Sequence, residues 1–96
     1  AFDKIEDGKI HDPYRVDYLR EHIKELKKAC DEGCRILSYC VWSFTDVLSW
    51  LNGYQKRYGL VYVDRDEEEN SGTLKRIPKY SYYWYKKVIE SNGENL

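Results

Sequence analysis

The stretch Ile36-Leu37-Ser38-Tyr39-Cys40-Val41-Trp42 decides the fold class. Apolar residues fall on both alternating faces with small ones between them, the pattern of a strand covered on both sides and paired in a parallel sheet. One such strand cannot satisfy its own backbone N–H and C=O groups. No second long buried strand is visible in the 96 residues, so its ladder partners are expected outside this chain.

Working outward, Ala1 to His11 has mixed charge, one glycine and no sustained period, and reads as an irregular lead-in. Asp12-Pro13 supplies a helix N-cap and a residue suited to the first turn. Val16, Leu19, Ile23, Leu26 and Cys30 then recur at helical spacing, predicting a helix from about Asp12 to Glu32 that Gly33 ends in the left-handed conformation. On the other side, Ser43 to Gln55 is polar and aromatic and contains the turn signal Asn52-Gly53. Tyr58 to Asp64 reads as a short strand, and the charged stretch Arg65 to Pro78 as an exposed loop expected to be mobile. Ser81 to Ser91 is a final helix with Tyr82, Tyr85 and Ile89 on one side and Trp84 and Val88 beside them, stopped by Asn92-Gly93.

Composition bounds the function. Sixteen basic and seventeen acidic residues leave a formal charge of −1, which implies no bulk attraction to nucleic acid or to an anionic membrane. No apolar run approaches the roughly 20 residues of a membrane span, and the amino terminus lacks a signal-peptide pattern, so the expected compartment is the cytosol. Three cysteines, Cys30, Cys34 and Cys40, argue against a disulfide framework. Their spacing fits no common zinc motif, and buried free thiols account for them better than a metal site. Ten tyrosines and three tryptophans suggest an aromatic-lined cleft or a thick aromatic core. The run Tyr82 to Tyr85 lacks the basic groove that a single-strand stacking surface needs, and packing of a final helix explains it.

Loop, helix, buried strand, polar loop and final helix is the rhythm of the last part of a β/α barrel, where functional residues gather at the C-terminal ends of strands. The phrase VWSFTDVLSWLNGYQKRYGLVYVD, Val41 to Asp64, followed by KYSYYWYKKVIESNG, Lys79 to Gly93, resembles the closing motifs of family 1 glycoside hydrolases. DPYRVDYL, Asp12 to Leu19, resembles that family's penultimate barrel helix, so the likeness covers nearly the whole chain. The resemblance implies an α/β fold, the C-terminal fragment of a TIM barrel: penultimate helix, last barrel strand, active-site loop with a short hairpin, and final helix. It also implies that residues 1–96 are a single fragment of a glycosidase domain whose remainder lies upstream.

In that family the nucleophilic glutamate stands in an Glu-Asn-Gly motif aligned upstream of Ala1, and the acid/base glutamate lies earlier still. Retaining hydrolysis needs two carboxyls about 5 to 5.5 Å apart. The chain alone is therefore expected to be inactive and to carry no catalytic residue, supplying instead a recognition wall. The resemblance makes Trp42 and Trp50 sugar-binding, since the C–H face of a pyranose stacks on an indole. Ordinary β-glucosidases of the family have glutamate at the position of Ser49, and its charge would repel a phosphate on the sugar's sixth carbon. Serine removes that repulsion and offers a donor. Lys56 and Tyr58, two apart and so on one side of an extended segment with Arg57 on the other, are competent phosphate donors. Ser49, Lys56 and Tyr58 match the phosphate site of the family's phospho-sugar branch.

The resemblance thus implies a cytoplasmic 6-phospho-β-glucosidase that works without cofactor or metal on phosphorylated β-glucosides from a phosphotransferase uptake system. Trp50 also occurs in 6-phospho-β-galactosidases, whereas the tail YSYYWYKKVIESNGENL looks more like the glucosidases. Other readings of the residues stay open. Trp42 and Trp50 can be core aromatics. Lys56 and Tyr58 can be solvated strand residues. Asp46 can shape its loop through buried hydrogen bonds or touch substrate, the former being favoured. The chain by itself can be a non-catalytic binding module or a purely structural one. Its exposed strand edges would then favour self-association.

Overall fold

The computed structural model describes residues 2–51, 53–65 and 72–96. The elements in chain order are helix α1 (Pro13–Asp31), strand β1 (Val61–Val63), strand β2 (Arg76–Pro78) and helix α2 (Tyr80–Glu90). Pro13 occupies the first turn of α1, where its missing N–H costs nothing, and Gly33 follows the helix at φ 103°. Val16, Leu19 and Ile23 are buried, each worth about 1.5–3 kcal/mol of transfer free energy. The expected stripe then loses its cover: Leu26 is half-buried and Cys30 is exposed.

Asp12 stands at the N-cap position of α1, but its carboxylate does not cap that helix. It turns across to α2. Ser81 donates its backbone N–H to Asp12 Oδ1 at 2.8 Å and its hydroxyl to Oδ2 at 2.6 Å. A fully buried anion thus sits against the electropositive start of the second helix, satisfying one of its orphan N–H groups. Tyr80 N–H donates to the Ile10 carbonyl at 2.9 Å, so the lead-in is stitched to the same end. At its other end α2 stops on Asn92 and Gly93, with φ 53° and 81°, as the turn signal predicts.

β1 and β2 form an antiparallel pair, with Tyr62 opposite Ile77. The expected strand over Tyr58 to Asp64 thus shortens to three residues. Arg76–Pro78, expected to be loop, is its partner. Arg76-Ile77-Pro78 is too short a run for a period to be detected in it. The other residues of that expected loop at 66–71 lie outside the described residues.

The stretch 36–42 forms no ladder among the described residues, and Leu37 is 86% exposed. A strand is defined by its neighbours, and none of the described segments runs alongside this one. Its continuation does pair: Thr45 bridges Val61 in parallel, with Val61 N–H on the Phe44 carbonyl at 2.9 Å and Asp46 N–H on the Val61 carbonyl at 3.0 Å. The cysteines are free but all exposed, which corrects the expectation of buried thiols. Cys30 and Cys34 flank the solvated end of α1, and Cys40 lies on the unpaired stretch. On α2 the buried face holds Ser81 and Val88, while Ile89 is 63% exposed beside an open apolar groove that Tyr82 and Tyr85 line.

Candidate functional site

The segment 43–46 lies so close to the chain at 58–61 that only glycine fits at position 59. A Cβ there would stand 2.2 Å from the Thr45 carbonyl carbon and 2.3 Å from Asp46 N. The contact brings Asp46 under the turn that carries Lys56, Arg57 and Tyr58.

Asp46 accepts four hydrogen bonds. Oδ1 takes Gly59 N–H at 3.0 Å and Lys79 Nζ at 2.7 Å; Oδ2 takes Arg57 at 3.2 Å and Val63 N–H at 3.3 Å. Each oxygen thereby uses both of its lone-pair directions. This is the loop-shaping role, not the substrate-touching one. Lys79 has no solvent exposure, and its three ammonium hydrogens meet Asp46, Asp3 Oδ2 at 2.6 Å and the Gly59 carbonyl at 2.7 Å.

Arg15 extends the cluster. It pairs with Asp12 and Asp3 and donates to the Arg57 carbonyl at 2.8 Å. Asp3, Asp12 and Asp46 thus balance Arg15, Arg57 and Lys79, the condition under which charges can be buried at all. Burial alone would push the Asp3 carboxyl up, but hydrogen bonds from Lys79 and Tyr14 and the charges of Lys79 and Arg15 hold it below the usual carboxylate range. The same burial, with the bond to Asp3, pushes the Tyr14 phenol up. Sequence reasoning missed this cluster apart from Asp46, because, Asp12 and Arg15 aside, its partners are 11 to 76 residues apart with no local spacing to detect.

Above the cluster, the expected site residues divide. Trp42 and Tyr58 border one cavity of about 430 Å³, closed on its other side by Tyr14, Tyr18 and Leu19 of α1. Ser49, Trp50 and Lys56 do not line it. Ser49 and Gly53 exchange two backbone hydrogen bonds, of 2.8 and 2.9 Å, which hold these two residues against each other. Ser49 Oγ accepts Leu51 N–H at 3.3 Å. Gly53 takes φ 60°, as a turn glycine should; Asn52 lies outside the described residues. Trp50 is fully exposed, and Trp42 is 77% exposed. Lys56 Nζ stands 6.0 Å above the Phe2 ring. Arg57 turns inward, 4.2 Å over Tyr62 and donating to the Arg65 carbonyl at 3.0 Å. Among the described residues no group of three metal-ligating side chains gathers, and no helix is long and apolar enough to cross a membrane.

The family model described as glycosyl hydrolase family 1 matches residues 1–94. The chain belongs to glycosyl hydrolase family 1. An aryl-phospho-β-D-glucosidase of Bacillus subtilis is 60% identical over 99% of this chain and 20% of its own length. A 6-phospho-β-galactosidase of Leptotrichia buccalis is 47% identical over 93% of the chain and 18% of its own length. Among solved structures, the family 1 β-glucosidase of Thermotoga maritima superposes on 95% of this chain and 20% of its own with a TM-score of 0.83 at 44% identity. The chain thus spans about a fifth of the length of these family 1 relatives, and its helices and hairpin are an α/β piece of the family's TIM barrel.

Proposed function

We propose that these residues are the last part of the barrel of a cytoplasmic, retaining 6-phospho-β-glucosidase, and that they form the wall of its site that recognises the sugar and the 6-phosphate. The observation that carries this reading is Ser49, a small hydroxyl beside the fully exposed Trp50, where the resemblance gives ordinary β-glucosidases a glutamate. Trp42 and Trp50 stack on the pyranose ring. Ser49 and Tyr58 donate O–H groups to the phosphate, and the Lys56 ammonium neutralises part of its charge. The 60% identity to an enzyme named for phosphorylated aryl glucosides supports the substrate class.

The two catalytic carboxylates belong to the rest of the barrel. In support of this, the buried carboxylates Asp3, Asp12 and Asp46 are all engaged by cations, and Asp64 accepts the Thr73 hydroxyl and N–H. The 96 residues alone are accordingly inactive. A second reading, a 6-phospho-β-galactosidase or an enzyme of dual specificity, is favoured by Trp50 and by the 47% identity to the Leptotrichia enzyme.

The test is the full-length enzyme carrying Ser49→Glu, assayed on an aryl β-glucoside with and without a 6-phosphate. Placing a carboxylate against a phosphate costs several kcal/mol, so kcat/KM for the phosphorylated substrate falls by about a hundredfold or more while the plain substrate is spared. An equal loss on both substrates removes Ser49 from the phosphate site.

A further inference from the structure

We propose that Asp46 is a positioning residue for the phosphate end of the site, acting through the backbone that carries Lys56 and Tyr58. The inference rests on the reading of Ser49, Lys56 and Tyr58 given above. The peptide groups around Tyr58 are tied one after another. The Arg57 carbonyl accepts from Arg15 at 2.8 Å and the Tyr58 carbonyl from Ser43 N–H at 3.2 Å. Gly59 N–H donates to Asp46 at 3.0 Å, and the Gly59 carbonyl accepts from Lys79 at 2.7 Å.

Asp46 links these ties, because its carboxylate also holds the Arg57 guanidinium and the Lys79 ammonium. With four hydrogen bonds already accepted it has no lone pair directed at a substrate, so its influence is indirect. A segment held at successive peptide groups presents its donors with little entropy left to lose, which favours a ligand that needs several donors at once. A phosphate is such a ligand. The ring of the sugar, stacked on Trp42 and Trp50, depends less on this segment.

The experiment compares full-length wild type, Asp46→Asn, Arg57→Lys and Lys56→Ala on an aryl 6-phospho-β-glucoside and on the plain aryl β-glucoside. Asp46→Asn keeps the shape of the side chain and loses the charge that holds both cations. Its KM for the phosphorylated substrate rises about tenfold more than for the plain one, with kcat changed far less. Arg57→Lys keeps the charge but not the planar fork, and it shows the same selective rise to a smaller extent, which keeps the test open if Asp46→Asn does not fold. Lys56→Ala, lacking a proposed phosphate donor, loses the preference directly. If Lys56→Ala loses it but Asp46→Asn and Arg57→Lys affect both substrates equally or neither, the positioning role is overturned and the phosphate site stands. If Lys56→Ala keeps the preference, the phosphate site itself is wrong and the positioning role falls with it.

Discussion

Asp3 and Lys79 meet at 2.6 Å with no exposure of either side chain, although 76 residues separate them in sequence. Nothing in the local pattern of either residue announces the pair: Lys79 reads as one of sixteen basic residues, and Asp3 as part of an irregular lead-in. Asp46 was legible because it sits in a recognisable phrase, and its loop-shaping role followed from the cost of leaving a buried carboxylate unpaired. Trp42 and Trp50 are both exposed within these 96 residues, where the residues alone left core packing and sugar contact open. The pairing makes stability depend on acid. Because the folded protein holds the Asp3 carboxyl below its ordinary value of 3.8, the stabilisation is complete above that value and fades as pH falls through the lower, folded one. Urea unfolding of the full-length enzyme and its Asp3→Asn variant should show a stability deficit in the variant at neutral pH that narrows below about pH 4. A deficit of constant size across that range would mean that the Asp3 charge does not contribute.

Helix α1 was legible almost to the residue, since Pro13, a 3.6-residue apolar period and Gly33 agree with one another. Helix α2 was legible for the same reasons, though its buried face is the Ser81–Val88 side and not the Tyr82–Tyr85–Ile89 side. A ring of tyrosines resembles a core stripe whether a neighbouring element covers it or not. Strand β2 was not legible because three residues are too few to show a period, and stretch 36–42, read as a buried strand, forms no ladder among the described residues. The two helices are joined at one end by Asp12 and Ser81, a contact that no helical pattern foretells. Ser81→Ala keeps the backbone bond and removes a hydroxyl that donates to a buried carboxylate. The expected loss is about 1.5–3 kcal/mol in denaturant unfolding, the range for hydrogen bonds to charged groups. A change within about 0.5 kcal/mol, typical of surface sites, would mean that this junction does not hold α2 in place.

At the scale of the whole chain, the radius of gyration is 15.2 Å and the extents are 50 × 29 × 18 Å, larger than the ~13 Å radius of a compact domain of this length. Leu37, Trp42, Trp50 and Leu51 are each at least 77% exposed, more large apolar surface than a self-sufficient domain of this size leaves uncovered. The 96 residues produced alone should therefore elute from a sizing column as oligomers. A sharp monomer peak with a cooperative melt would contradict that expectation. In the proposed function this wall of a family 1 barrel selects a phosphorylated sugar. The kcat/KM of the unmodified full-length enzyme on an aryl 6-phospho-β-glucoside, relative to the plain aryl β-glucoside, reads that selection. A preference for the phosphorylated substrate of about a hundredfold or more is expected, the worth of two charge-assisted hydrogen bonds. Equal rates, or a preference for the plain glucoside, would contradict it.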